Sequence, residues 1–448
     1  MFCYKNAILQ YNEIFIIITQ LQYHYLRNNI TTITPPPPHR DEETFKARYI
    51  GHNVYHFGEY CKHFKFKQTK EQIKKEPKRI IHALCMYLVG KARRRSEVSS
   101  KYSYISFKQV KKDIKQNPSQ FFSTLSQYVA WKKHKLDKKL ENIAMKFIRS
   151  YYKKRVKLGK VDIPYIELVL TTKCTLRCES CNNLMQYFDS KNQYTCTYEG
   201  IKQSLDKFFA AIDSIHSVRI IGGEPLLFKD LDKVITYLGR EKKVRSFNIV
   251  TNGTRIFNDK SLAALKDCPN AIVCISDYSR SPNLKVPLKQ ESLIDQLKTH
   301  KIPYYVIWTD KNSSWWNPGK IYKRGRTNED IIRNFKACMM PCVSLMSSEG
   351  IRRDSTKETI ESETSIAPDG ALFICPIASS LSRLKGLREF QGDFINLSDS
   401  NLRQRIVDFY AQDFFKACDY CHDMWLEKEH IPIAVQTDSI LKLESDNT

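Results

Sequence analysis

The chain has 448 residues, 42% of them hydrophobic, and carries 72 Lys+Arg against 48 Asp+Glu for a net charge of +24. That length suits two or three domains with real apolar cores. No run approaches the roughly 18 consecutive apolar residues that cross a bilayer, and the opening MFCYKNAILQ lacks a basic head before a long apolar stretch. Neither a spanning nor a secreted protein is therefore expected, and the cytoplasm is the default.

The charge is uneven: residues 1–160 hold 34 Lys+Arg against 11 Asp+Glu, while 161–448 hold 38 against 37. The first forty residues end in Pro35–Pro38, a stiff polyproline spacer. From about 60 to 160, aromatic and aliphatic residues recur every three or four positions among lysines. Phe121, Leu125, Tyr128 and Trp131 form one series, and Leu140, Ile143, Phe147 and Tyr151 another, so several basic amphipathic helices are expected. Three readings of this region stand: electrostatic binding of nucleic acid, a grip on an acidic peptide or nucleotide-linked sugar, or solvated helices covering the body. It holds no helix-turn-helix, zinc-finger or RNA-binding signature, and a nucleic-acid protein is not expected.

After Gly159 the texture changes. Strands are expected at Tyr165–Thr171, Val218–Ile221, Phe247–Val250, Ala271–Ser276 and Tyr304–Trp308, separated by helical patterns at about 199–214, 229–240, 259–267 and 288–299. Strands alternating with helices argue for βαβ units and a parallel sheet, an open or partial barrel.

Seven of the fourteen cysteines cluster at short spacing, at 174/178/181, 338/342 and 418/421. In a reducing compartment this favours metal ligation over disulfides. Cys3, Cys61, Cys85, Cys196, Cys268 and Cys274 show no pattern and read as small hydrophobes. Cys174, Cys178 and Cys181 lie in a C-x3-C-x2-C loop, TTKCTLRCESCNNL, after the first strand. Three thiolates leave one iron of a cubane cluster open to a small chelating molecule. A closed zinc site would want a fourth ligand, and no His lies between Leu170 and Gly200.

That loop, at that place, resembles the radical S-adenosylmethionine (SAM) superfamily, and further motifs follow in order at strand ends. Gly222-Gly223-Glu224-Pro225 is similar to its GGEP motif, Val250-Thr251-Asn252-Gly253 to its TNG segment, and Ser276-Asp277 stands where a polar side chain meets the SAM ribose. The resemblance covers about 160–310. It implies a [4Fe–4S] cluster on Cys174, Cys178 and Cys181, and SAM held by Gly222, Gly223, Glu224, Pro225, Asn252 and Ser276. It also implies a 5′-deoxyadenosyl radical that removes a hydrogen atom from substrate, and an electron donor such as flavodoxin or ferredoxin. Ser180 stands where the family usually has an aromatic residue, which weakens the expected contact to adenine.

Downstream, Gly370-x4-Cys375 and Cys418-x2-Cys421, with Cys342 or Cys338 ahead of them, resemble the twitch or SPASM extension, which implies a second [4Fe–4S] cluster. Zinc competes there, since four thiolates suit it equally. The run Ser347–Ser365 reads as an inserted loop. Trp308, Trp315 and Trp316, with Asp310 and Lys311, form either a stacking platform or core, and Arg324 and Arg326 either a phosphate site or a solvated loop.

The expected fold is thus α/β: a partial (β/α)6 barrel at 161–325, a basic helical region at 1–160, and a small cysteine-bearing extension at 326–448. The expected function is radical SAM oxidation or dehydrogenation of a small carbohydrate-like molecule. The alternatives are modification of a peptide or protein side chain and, in another class, a non-catalytic zinc-stabilised binding protein.

Overall fold

The computed structural model of the protein describes residues 84–92, 121–338, 343–351, 369–422 and 429–443. The chain divides into two compact units, one closing at Leu158 and the other taking up the chain at Gly159.

In the first unit, helix α1 spans 84–92 and α2 runs unbroken over Phe121–Lys157. No Gly or Pro interrupts those 37 residues, and Lys154, Arg155 and Lys157 in the last turn complement the negative end of the helix dipole. Of the region from about 60 to 160 where several helices were expected, the described residues hold these two, and both series from Phe121 to Tyr151 fall on the one long helix. Its buried apolar side chains are Leu140, Ala144, Ile148, Tyr152 and Val156, a four-residue stripe adjoining the series read from the sequence, with Asp137 and Glu141 buried beside them. Pro35–Pro38, Cys3, Cys61, the helices expected before residue 84, and the side chains of Phe121 to Trp131 lie outside the described residues.

The second unit opens with five parallel strands and the helices between them. They are β1 (Asp162–Val169), α3 (Tyr198–Ala211), β2 (Ser214–Ile221), α4 (Leu231–Arg240), β3 (Val244–Thr251), α5 (Asp259–Asp267), β4 (Ala271–Ser276), α6 (Gln290–Thr299) and β5 (Tyr304–Ile307). Start signals are local: Thr197 caps α3 by accepting from the Gly200 N–H, and Asn258 caps α5 by accepting from that of Ser261. On β2, β3 and β4 the side chains of Val218, Ile220, Phe247, Ile249, Val273 and Ile275 are fully buried. The residues between them face the other side of the sheet. Register puts Glu167, Arg219 and Asn248 in one row on that inner face.

The remaining elements are β6 (Trp315–Trp316), α7 (Asn328–Ala337), β7 (Val343–Met346), β8 (Ala371–Phe373), α8 (Pro376–Lys385), β9 (Phe394–Asn396), α9 (Leu402–Ala411) and β10 (His430–Ile431). The sheet has eight strands in the order β5-β4-β3-β2-β1-β7-β8-β9. A sixth parallel strand therefore exists, but it is β7 and it pairs with β1, not with β5. Every residue of β1 is buried, so its second edge cannot be left without hydrogen-bond partners. The cysteine-bearing extension supplies that partner and continues the same sheet through antiparallel β8 and β9. Strand β5 stays at the edge and ends at Ile307; Trp308, expected inside it, is 66% exposed. Among the described residues no helix is long and apolar enough to cross a membrane.

Candidate cluster and cofactor site

The cysteine loop leaves the carboxyl end of β1, and neighbouring strand ends hold it. After β2, the Gly223 N–H donates to the Thr171 carbonyl (2.8 Å) and the Glu224 N–H to that of Lys173 (2.8 Å). A side chain could not stand at either glycine. A Cβ on Gly222, whose φ is +137°, would meet the Thr171 carbonyl oxygen at 2.3 Å, and one on Gly223 would meet that of Lys173 at 2.0 Å.

Glu224 is tied to the strand ends beside it. Its carboxylate is fully buried and accepts from the Leu226 N–H (3.1 Å), the Thr251 hydroxyl (2.9 Å) and the Asn252 N–H (2.9 Å). Burial raises its pKa and these donors oppose the rise. The group braces the end of β3 against the end of β2. Asn252 extends that brace: its side-chain amide donates to the Thr175 hydroxyl (2.9 Å) and approaches Cys174 Sγ (3.6 Å), while its carbonyl accepts from Thr254. Pro225 opens a short turn behind them.

At the end of β4, Asp277 does not face the loop. Burial raises its pKa, but hydrogen bonds from Thr309 and Ser279 outweigh that and hold it below the usual carboxylate range. Ser276 is half-buried, and its carbonyl takes a hydrogen bond from Gln290 (3.4 Å). Tyr278, which no motif singles out, hydrogen-bonds Ser276 and lies close enough to Cys178, Cys181 and Cys174 to feel their charge.

The three thiols share one environment. Burial dominates each and raises its pKa, that of Cys178 to about 12, and charge on one disfavours charge on its neighbours. Buried thiols of this kind become thiolates on a cationic partner. Among the described residues, no three His, Cys, Asp or Glu side chains close on a point as ligands of one ion would. The donor chemistry fits a multi-iron cluster: three sulfurs in one loop, with N–H groups from Leu176 (3.5 Å), Asn252 and Gln436 (3.2 Å) directed at them. Gln436 is the second residue that sequence reasoning missed. It belongs to a segment after β10 that packs Ile433 and Ala434 against Leu176 and Cys178.

The second constellation is assembled by the fold. Cys338 ends α7, Cys375 caps α8 and accepts from the Ala378 N–H (3.4 Å), and Cys418 and Cys421 follow α9. Cys375 and Cys418 each feel Cys338 and Cys421, and burial raises both thiols. Cys342 lies outside the described residues, as does the inserted loop beyond residue 351. Arg324 and Arg326 do not form a phosphate site. The Arg326 guanidinium donates to the carbonyls of Cys418 (3.2 Å) and Cys421 (2.8 Å), that of Arg324 to the Tyr420 carbonyl, and Asp419 accepts from the N–H groups of Gly325 and Arg326.

The tryptophans do not cluster either. Trp315 sits edge-on to Tyr278 at 5.7 Å, Trp316 lies against His430 at 4.4 Å, and the two form β6, which pairs with β10. Asp310 hydrogen-bonds Asn312 and Ser313 in its own loop.

Under the cysteine loop, the inner row is polar. Glu167 Oε1 accepts from the Tyr165 hydroxyl (2.9 Å) and faces Arg219 at 3.5 Å, and Arg219 lies over the Tyr165 ring at 5.0 Å. Tyr305 hydrogen-bonds Asn248 and Cys274. Three buried atoms in this row, Glu167 Oε2, Arg219 Nε and Asn248 Oδ1, have no hydrogen-bond partner.

Residues 168–300 match the family model of the radical SAM superfamily. The chain is 30% identical over 139 residues to GTP 3′,8-cyclase of Aquifex aeolicus, which covers 30% of this chain and 42% of that protein. It is 33% identical over 89 residues to molybdenum cofactor biosynthesis protein 1 of Dictyostelium discoideum, covering 20% and 14%. The chain thus spans less than half the length of these curated relatives. Among solved structures it is similar to Streptococcus suis SuiB bound to precursor peptide SuiA, with 15% identity, 37% of each chain covered and a TM-score of 0.26. Over residues 168–300 this chain is a domain of the radical SAM superfamily, whose members bind a [4Fe–4S] cluster and S-adenosylmethionine.

Proposed function

We propose that the protein is a radical SAM enzyme that removes a hydrogen atom from a small, hydroxyl-rich, carbohydrate-like substrate held on the inner face of its sheet. The observation that carries the catalytic reading is the seating of the three-thiol loop on Gly222 and Gly223, where no side chain fits. Bound there, a [4Fe–4S] cluster with SAM supplies one-electron cleavage of the sulfonium to methionine and a 5′-deoxyadenosyl radical, which takes a hydrogen atom from a C–H bond.

In this reading Cys174, Cys178 and Cys181 would hold the cluster, and Gly222 and Gly223 would lie against SAM. Glu224 and Asn252 position the loop from behind, and Tyr278 and Ser276 border the cofactor at the end of β4. Cys338, or Cys342, with Cys375, Cys418 and Cys421 holds a second [4Fe–4S] cluster. There the Arg326 guanidinium fixes the backbone of the Cys418–Cys421 turn, and a second cluster would supply an electron acceptor for a net two-electron oxidation. The reductant is a flavodoxin or ferredoxin.

The inner row supports the substrate class. Glu167 and Arg219 balance each other's charge, so a neutral ligand fits better than an ion. Its hydroxyls would donate to Glu167 Oε2 and Asn248 Oδ1 and accept from Arg219 Nε, completing the three unpartnered atoms. The Aquifex relative's name gives GTP as its substrate, and a nucleotide's ribose presents the same hydroxyl chemistry.

The test is anaerobic turnover with dithionite and SAM, following substrate-dependent 5′-deoxyadenosine with GTP, with myo-inositol, and with cell extract before and after protease treatment. Stimulation by either pure compound, or by protease-resistant extract, is expected. Stimulation only by protease-sensitive extract would transfer the assignment to peptide modification.

A further inference from the structure

The segment that reaches the cysteine loop comes from far along the chain: Gln436 and Cys178 are 258 residues apart. It is fastened on two sides. The Glu179 N–H donates to the Val435 carbonyl (2.8 Å), and the Thr437 N–H to that of Arg177 (2.9 Å). Asn283, beyond β4, exchanges two hydrogen bonds with the Gln436 backbone, both 2.8 Å, and the Ser281 hydroxyl donates to the Ala434 carbonyl (2.8 Å). Ala434 itself is held at φ +50°. For a residue with a Cβ that conformation is strained, and it persists only where the surroundings dictate it. Here it turns the chain so that Gln436 points back at the loop.

The orientation of the Gln436 amide is fixed by its neighbours. Its Oε1 accepts from the Arg177 backbone N–H (2.8 Å), a group that can only donate. Its Nε2 therefore faces the other way, to the Ala434 carbonyl (2.6 Å) and to Cys178 Sγ (3.2 Å). The side chain is 5% exposed, so water does not compete for that sulfur-directed proton.

We propose that Gln436 is a positioning residue that sets the reduction potential of the cluster held by Cys174, Cys178 and Cys181, through its N–H donated to Cys178. The inference rests on the radical SAM reading. A one-electron reduction adds negative charge that the sulfurs share, and an N–H aimed at a sulfur stabilises that state more than the oxidised one. Removing the donor makes the cluster harder to reduce. No bond is made or broken in this step; the electron comes from the external reductant.

The experiment uses the full chain, reconstituted without oxygen and titrated with dithionite. The midpoint is read from the electron paramagnetic resonance signal that changes when SAM is added. Gln436→Met and Gln436→Leu are neutral, of similar size, and have no proton for the sulfur. Both are expected to weaken the reduction equilibrium three- to tenfold, the latter about 59 mV for one electron, with iron content retained and the second cluster's midpoint unmoved. Unchanged midpoints in both variants would overturn the proposal. Should both variants lose iron, the wild-type protein decides: with glutamine side chains labelled with 15N, pulsed resonance of the reduced cluster is expected to show a 15N coupling, and its absence would overturn the proposal. A wild-type protein with no SAM-responsive signal would instead overturn the radical SAM reading, and this one with it.

Discussion

Cys174, Cys178 and Cys181 share one short loop, whereas Cys338, Cys375, Cys418 and Cys421 come from three separated stretches of chain that α7, α8 and α9 bring together. The supports differ as much as the spacing does. The first loop is held by backbone packed on glycine and by neutral amides directed at sulfur, from Asn252 and Gln436. Around the second, guanidinium groups of Arg324 and Arg326 grip the carbonyls of 418–421. Around the first loop the charged neighbours are carboxylates, Glu224 beside Cys174 and Glu167 beside Cys181. At the second site the arginines hold backbone, and the thiols are raised by burial and by one another.

The largest effect should come from filling the seat of the first loop. Gly223→Ala places a methyl 2.0 Å from the Lys173 carbonyl oxygen, a backbone clash worth about 3 kcal/mol or more. We expect it to halve the iron of the reconstituted protein and to abolish the SAM-responsive signal, leaving the second cluster. Arg326→Met is the converse. It removes the donors to Cys418 and Cys421, and iron analysis should show loss at the second site with the SAM-responsive signal kept. If both substitutions erase both sites equally, the two are not independently built.

Glu224→Gln is smaller. The amide can no longer accept at both ends, so one of the Leu226, Thr251 or Asn252 donors loses its partner, at about 1–3 kcal/mol in guanidinium unfolding. The smallest effect lies away from both sites. Asp213 joins Arg403 of α9 (2.6 Å), Lys160 (3.0 Å) and the Val161 N–H (2.9 Å). Burial raises its pKa, but these partners outweigh it and hold the carboxyl at about 2. The folded pKa lies below the ordinary carboxylate value, so the stabilisation is full above about pH 4 and is lost as the pH falls through about 2. Asp213→Asn should lower stability by about 1–2 kcal/mol at neutral pH and flatten the acid limb of a melting profile; an unchanged acid limb would show the pair to be inert.

The first region was legible because its information is local. Alternation of apolar runs located β2, β3 and β4 to within a few residues, and three cysteines after a strand declared their loop. What the sequence could not offer depends on contacts across hundreds of residues. Nothing near Val343 says that its strand pairs with β1 instead of β5; that follows from β1 being buried throughout and needing two partners. Gln436 lies in an irregular stretch with no periodicity, and Tyr278 reads as one aromatic residue in a turn. Glu224 matched its motif, but its hydrogen bonds to the ends of neighbouring strands are not written in that motif. Arg324 and Arg326 looked like an anion site because charge is visible in a sequence and carbonyl partners are not.

The contrast between the two sites can be put to one measurement: 5′-deoxyadenosine formed from SAM and dithionite by the wild-type protein and by two triple variants. Cys174→Ala/Cys178→Ala/Cys181→Ala should form none above background. Cys375→Ala/Cys418→Ala/Cys421→Ala should still cleave SAM without substrate while losing substrate turnover. SAM cleavage that continues in the first variant would contradict the placement of the chemistry at the three-thiol loop.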